Sequence, residues 1–254
     1  MRLFKIIFSP TGGTEKAAEA IVSRFNGKIE TVDLTDADAD FSALQISGED
    51  ISLIAVPSYS GRVPALAAER IKKLHGSGSR CVLLCVYGNR AYEDTLAEMQ
   101  DIAGECGFSV IAAAVAIAEH SIIRKYAEGR PDERDIEELH NFGDKIFDKL
   151  QKGENDLGSQ IPGSRPYRKA GSAAMVPKAD GNCSGCGLCA DKCPAHAIDK
   201  ENIKAADSRK CIGCMRCVSV CPQSARRVSE VMVSAAALAL KKACSVRKEN
   251  ELYI

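Results

Sequence analysis

Eight of the twelve cysteines fall into two matching runs, Cys183-x-x-Cys186-x-x-Cys189-x-x-x-Cys193-Pro194 and Cys211-x-x-Cys214-x-x-Cys217-x-x-x-Cys221-Pro222. A two-residue gap lets a tight loop set successive thiolates on three iron corners of a cubane. The proline that closes each run turns the chain so that the fourth sulfur faces a neighbouring cluster. Zinc ribbons and disulfides are the alternative chemistries. Zinc sites use paired C-x-x-C knuckles with four ligands per ion, without a third cysteine at the same step and a proline. The spacing therefore points to two [4Fe–4S] clusters.

Such clusters belong in a reducing compartment. Residues 1–20 hold Lys5, Pro10, Glu15, Lys16 and Glu19 and no apolar core with a cleavage site, so a cytoplasmic protein is expected. The longest apolar run near the C-terminus, Val231 to Leu240, contains Ser234 and is about half a membrane span. Formal net charge is zero, but residues 1–164 carry 18 Lys+Arg against 26 Asp+Glu, and residues 165–254 carry 16 against 8. Halves of −8 and +8 suit docking of one on the other, or steering of an acidic redox partner, or only solvated surface. Nucleic-acid binding is discounted, because residues 165–254 contain only Tyr167 and Tyr253 as aromatics.

The first 150 residues alternate between strand and helix patterns. Strands are expected at Leu3–Phe8, Ile29–Leu34, Ile51–Val56, Arg80–Val86 and Ser109–Ala118. Helices are expected with Ala17, Ala18, Ile21, Val22 and Phe25 on one face, then at Ala65–Leu74, Tyr92–Cys106 and Pro131–Leu150. This order predicts an α/β doubly wound parallel sheet of five strands with right-handed crossovers. Ligands of such sheets bind at the carboxyl edge. There the first strand ends in Ser9-x-Thr11-Gly12-Gly13-Thr14, a loop of hydroxyls and glycines with no lysine or arginine. It is neither a Walker loop nor a G-x-G-x-x-G fingerprint, so a single phosphate at the helix N-terminus is the expected guest. Pro57-Ser58-Tyr59-Ser60-Gly61-Arg62-Val63-Pro64 and Tyr87-Gly88-Asn89-Arg90-Ala91-Tyr92 end the third and fourth strands, and can supply flat faces and amides for a planar ring.

The cysteine runs resemble those of bacterial two-cluster ferredoxins, and S-x-T-G-x-T with the two later loops resembles flavodoxin. Joined in one chain, with Tyr59-Ser60-Gly61-Arg62-Val63-Pro64 and Gly88-Asn89-Arg90, they resemble the EFR-type flavodoxin–ferredoxin fusion proteins over roughly residues 1–150 and 175–227. The resemblance implies strand order 2-1-3-4-5 and a small α+β ferredoxin-like domain. It implies FMN with its phosphate at Ser9, Thr11, Gly12, Gly13 and Thr14. The ring would lie between Pro57, Ser58, Tyr59, Ser60 and Gly61 and the loop of Tyr87, Gly88, Asn89, Arg90 and Tyr92. One cluster would be held by Cys183, Cys186, Cys189 and Cys221, the other by Cys193, Cys211, Cys214 and Cys217. There is no tryptophan to stack on the flavin, so Tyr59, Tyr87 or Tyr92 would serve. Arg62 and Arg90 would favour negative charge near the ring, unless they are solvated loop residues.

Glu119-His120-Ser121 ends the fifth strand at the same edge, where His120 could relay a proton or simply cap a turn. Cys81, Cys85, Cys106 and Cys244 read as small core residues. The expected organisation is a flavodoxin-like domain at 1–150, a linker at 151–176, a ferredoxin domain at 177–227 and a helical tail at 228–254. The function expected is electron transfer between two [4Fe–4S] clusters and FMN. The alternative is an FMN-dependent oxidoreductase whose clusters feed reduction of a small molecule. The partner is accordingly a redox protein or a small-molecule acceptor.

Overall fold

The computed structural model describes residues 2–171 and 175–254; Met1 and residues 172–174, the latter inside the expected linker, lie outside them. Strand β1 (Arg2–Ile7) runs into helix α1 (Gly13–Val22), and β2 (Lys28–Asp33) follows. Then come β3 (Ile51–Pro57), α2 (Ala65–Ile71), β4 (Arg80–Tyr87), α3 (Thr95–Glu105), β5 (Ser109–Ile117) and α4 (Glu133–Gln151). β1 to β5 are parallel neighbours in the order β2-β1-β3-β4-β5. This is the flavodoxin-like topology expected. Apolar runs such as Leu53-Ile54-Ala55-Val56 are buried because helices cover both faces. Leu3, Ile21, Leu53, Leu139 and Ile146 join one core, and Phe8, Ile54, Leu83, Leu96 and Ile117 the other. Cys81 and Cys85 lie fully buried in β4, as small core residues do.

Two helix starts are sharper than periodicity implied. α4 begins after Asp132, whose side chain accepts the Asp135 N–H while the Asp135 carboxylate accepts the Asp132 N–H. α3 begins at Thr95 rather than Tyr92, because Asn89 and Glu93 adopt left-handed backbone angles (φ 63° and 44°) and coil the chain before it.

The cysteine-rich segment holds β6 (Lys178–Ala179), α5 (Leu188–Asp191), α6 (Arg216–Ser219) and β7 (Arg226–Arg227), with β6 and β7 antiparallel. The tail departs from expectation. Helix α7 (Glu230–Cys244) is there, but it is followed by β8 (Glu251–Tyr253), which pairs antiparallel with β5 and makes the sheet six-stranded. Asn250 explains the docking: its Oδ1 accepts the Ile117 N–H, and its Nδ2 donates to Asp135 and Glu138. Among the described residues no helix is long and apolar enough to cross a membrane.

Candidate functional site

The loop after β1 enters α1 through Gly12 in the left-handed region (φ 91°), where a side chain would be strained. Ser9 Oγ accepts the Glu15 N–H at 2.9 Å, so the loop's first hydroxyl ties down the first turn of the helix. Ser9 and Thr14 are buried, Gly12 and Gly13 half-buried, and Thr11 is exposed. The result is a backbone cup over a helix N-terminus, the arrangement that receives phosphate.

The loop after β3 closes on itself. Tyr59 and Arg62 exchange backbone hydrogen bonds (2.9 and 3.1 Å) around Ser60 and Gly61, both at positive φ (53° and 77°), a type I′ geometry. A Cβ on Gly61 would collide with the Glu93 carboxylate, so glycine is required on two counts. Ser58 Oγ shares a 2.7 Å hydrogen bond with Thr95 Oγ1, which pins this loop to the start of α3. Arg62 donates twice to the Glu98 carboxylate (2.7 Å each), and its guanidinium stacks 4.8 Å from the Tyr167 ring. Arg90 is likewise forked onto Glu93 (3.0 and 2.6 Å). Neither arginine is a free positive charge: Arg62 is paired with Glu98, and Arg90 shares Glu93 with Arg168.

The loop after β4 is held from the far end of the chain. Asn89 Nδ2 donates to the Cys244 and Val246 carbonyls (3.0 and 2.9 Å), and its Oδ1 accepts the Lys248 N–H. Tyr87 is buried edge-on to Tyr92, whose hydroxyl donates to Glu251. The side chains of Tyr87, Asn89 and Tyr92, expected around a ring, are thus engaged by the C-terminal segment, while Gly88 lies tight against His120. His120 caps a turn: its Nδ1 accepts the Ile122 and Ile123 N–H groups (3.2 Å each). Burial, with Arg90 nearby, lowers its pKa and keeps the ring neutral. Glu119 pairs with Arg124 and accepts the Gly129 N–H.

In the cysteine-rich segment Cys183, Cys186, Cys189 and Cys221 line one small pocket with Leu188, Ile203 and Arg226. Cys193 lies within electrostatic reach of Cys211, Cys214 and Cys217. The fourth cysteine of each run therefore sits with the other run's first three. The repeat extends to the hydrogen bonds: the Ala197 N–H donates to Cys193 Sγ and the Ala225 N–H to Cys221 Sγ, both at 3.3 Å. Burial pushes the Cys214 thiol up to about 12 and Cys217 to about 11, so without iron these thiols keep their protons. Among the described residues no three acidic, His or Cys side chains gather tightly enough for a single metal ion.

Sequence reading missed two residues. Arg226 is 2% exposed and donates to the carbonyls of Pro177, Ile203 and Ala205, while its buried Nε has no partner among the described residues. Its charge acts on Cys211, Cys217 and Cys221, which belong to both quartets. Arg216, between Cys214 and Cys217, reaches the first loop and donates to the Ser9 and Pro10 carbonyls (3.4 and 3.3 Å). Two other contacts bring the second run to the same edge of the sheet. Ile212 packs into the sheet's core, and the Tyr59 hydroxyl is pushed well above the usual tyrosine range by burial and by Cys214 beside it. No motif marks either arginine; only a fold that returns residue 216 to residue 10 reveals it.

Residues 182–226 match the protein family described as 4Fe-4S dicluster domain. No curated protein matches the chain. Among solved structures, a Streptococcus pneumoniae TIGR4 flavodoxin is 17% identical over 59% of this chain and 99% of its own, with a TM-score of 0.43. Oxidised flavodoxin 1 from Bacillus cereus is 17% identical over 58% and 98%, with a TM-score of 0.41. The rubredoxin oxygen:oxidoreductase of Desulfovibrio gigas is 12% identical over 59% of this chain and 36% of its own, with a TM-score of 0.45.

Proposed function

We propose that this protein is an electron carrier that passes electrons between two [4Fe–4S] clusters and an FMN held at the carboxyl edge of its sheet. The carrying observation is the landing of the second cysteine run on the phosphate and Tyr59 loops, through Arg216, Ile212 and Tyr59 beside Cys214. A structural cluster would have no need to sit there.

The residues fit the groups. The cysteines are gathered in two crossed quartets, each with an N–H aimed at a sulfur. A buried guanidinium with an unpaired Nε stands where two anionic clusters would need a counter-charge. The Gly12 cup with Ser9 and Thr14 suits one phosphate. When bound, the clusters supply one-electron chemistry and FMN supplies one- or two-electron storage. The chain's own residues set the order of the centres. Cys186 is exposed, and Cys183 and Cys221 are half-buried, so the first quartet meets solvent. Cys193, Cys214 and Cys217 are buried, and their quartet abuts the loops of the sheet. The first quartet is thereby the port for a redox partner and the second the relay. Backbone N–H donors at the sulfurs and Arg226 between the quartets tune the potentials by stabilising negative charge.

The test is anaerobic. Purified protein should carry about eight irons and one FMN, and rapid photoreduction of the clusters should reduce FMN at a rate independent of protein concentration. Cys193→Ser should alter the spectrum of the second quartet's cluster. A rate proportional to protein concentration, or Cys193→Ser acting only on the first quartet, would overturn the reading. Steady turnover of a small molecule by a reduced-ferredoxin donor would instead favour the oxidoreductase alternative.

A further inference from the structure

The phosphate loop holds no basic residue of its own, yet a guanidinium from the other end of the chain lies on it. Arg216 aligns with Leu188 in the 28-residue repeat, so the cluster fold itself is served by an apolar side chain at that position. Met215 before it adopts a left-handed conformation (φ 62°) where the first run has Gly187 (φ 81°). A buried methionine is retained in a geometry that glycine prefers, and the next side chain leaves the cluster loop for the sheet. The Arg216 Nη1 donates to the Ser9 and Pro10 carbonyls, and its Nε is buried with no partner among the described residues.

A peptide's C=O and N–H point in opposite directions. Holding the Pro10 carbonyl on one side therefore fixes the Thr11 N–H on the other and polarises it as a donor. Resting on the FMN reading above, we propose that Arg216 is a positioning residue for the phosphate loop. Through it, assembly of the second cysteine quartet raises the affinity of the sheet domain for the phosphate of FMN. Because Cys214 and Cys217 flank Arg216, the effect is reciprocal: bound phosphate also favours the formed cluster loop.

The test compares FMN with riboflavin, which lacks the phosphate. Full-length, iron-loaded protein stripped of flavin is titrated with each, following quenching of flavin fluorescence. Arg216→Met should weaken FMN about tenfold or more, the scale of one lost charge-assisted hydrogen bond, while riboflavin changes less than about twofold. Arg216→Lys should recover part of the loss. Removing iron from the wild type should lower its preference for FMN over riboflavin to that of Arg216→Met, and removing iron from Arg216→Met should lower it no further. Equal weakening of both flavins, or none, overturns the proposal. If Arg216→Met fails to retain iron, Arg216→Lys and Arg216→Gln carry the same comparison. Wild-type protein that binds neither flavin refutes the FMN reading itself, a separate result.

Discussion

Replacing Arg70 with methionine should loosen the cysteine-rich segment from the sheet without unfolding either. Arg70 lies on α2, is 7% exposed, and donates to the Leu34 carbonyl on one side and to the Pro194 carbonyl at 2.7 Å on the other. Pro194 follows Cys193, so this bond anchors the crossing ligand of the second quartet. Hydrogen bonds from a charged donor contribute about 1.5–3 kcal/mol each. Each segment opens by losing its own one of the two bonds, and the contribution is already net of the water that replaces it, so the loss at either is about 1.5–3 kcal/mol. At about 1.4 kcal/mol per tenfold, local opening should rise by about 10- to 140-fold. Anaerobic hydrogen exchange of the iron-loaded chain reads this directly, as faster exchange in residues 34–38 and 193–198 with β3 and β4 unchanged. Arg70→Lys, with one compact head in place of a fork, should fall between. Exchange within about threefold of wild type in both segments would refute the reasoning.

Other outcomes follow from the same contacts. Arg226→Leu removes a buried charge that acts on cysteines of both quartets and should lower both cluster potentials, on the order of tens of mV for a unit charge at an effective dielectric of about 20; redox titration followed by electron paramagnetic resonance checks it, and a shift in one cluster alone contradicts a shared counter-charge. Asp135→Asn strips the buried partner of Arg130 (side chains 1% and 4% exposed) and should cost about 2–4 kcal/mol by thermal unfolding, whereas Asp144→Asn, in the exposed pair with Arg24, should cost under about 0.5 kcal/mol. Arg247 lowers the pKa of Asp132; burial works to raise that of Asp135, but Arg130 and the Asp132 N–H outweigh it. Both carboxylates ionise more readily folded than unfolded. Their contribution is thus full above the usual carboxylate pKa of 3.8 and lost only as the pH falls below it, and release of the tail to protease between pH 5 and 7 would contradict this. Iron chelation should unfold 177–227 while circular dichroism retains the signal of the sheet domain, because the cysteine-rich core is a handful of small side chains around Cys189 and Ile198.

The parts of this molecule that repeat or alternate are legible in its sequence. Five strands and the helices between them express a local period, and the structure carries each within a few residues. What escaped were contacts between positions far apart in the chain. Asn89, Tyr87 and Tyr92 look like ring-binding residues because they end a strand at the ligand edge, but their side chains are engaged by residues 244–253. β8 is three residues long and gains its place from the free edge of β5 and from Asn250, not from its own propensity. Arg62 and Arg90 carry charges whose partners, Glu98 and Glu93, lie 36 and 3 residues away. A charge read without its partner gives the wrong field.

The −8 and +8 halves illustrate the same point on a larger scale. If the asymmetry served to dock the cluster segment, ion pairs should join residues 177–227 to the sheet. Among the described residues the pair seen there is His196 with Asp38 at 3.8 Å, both largely exposed. The stronger pairs belong to the connecting and terminal segments: Arg165 to Asp101, Arg168 to Glu93, Arg247 to Asp132 and Asp135, and Arg134 to Glu249. The basic half thus spends much of its charge strapping the linker across α3 and the tail across α4. The cluster segment is held instead by arginines that donate to backbone carbonyls, Arg70 to Pro194 and Arg216 to Ser9 and Pro10. Such bonds are buried or part-buried and are screened less than the exposed straps, which weaken with salt. An assembly built this way should hold the second cysteine run against the loops at the sheet's carboxyl edge as salt is raised, and that retention is what the proposed relay requires. Cys186 of the first run stays exposed, clear of the straps.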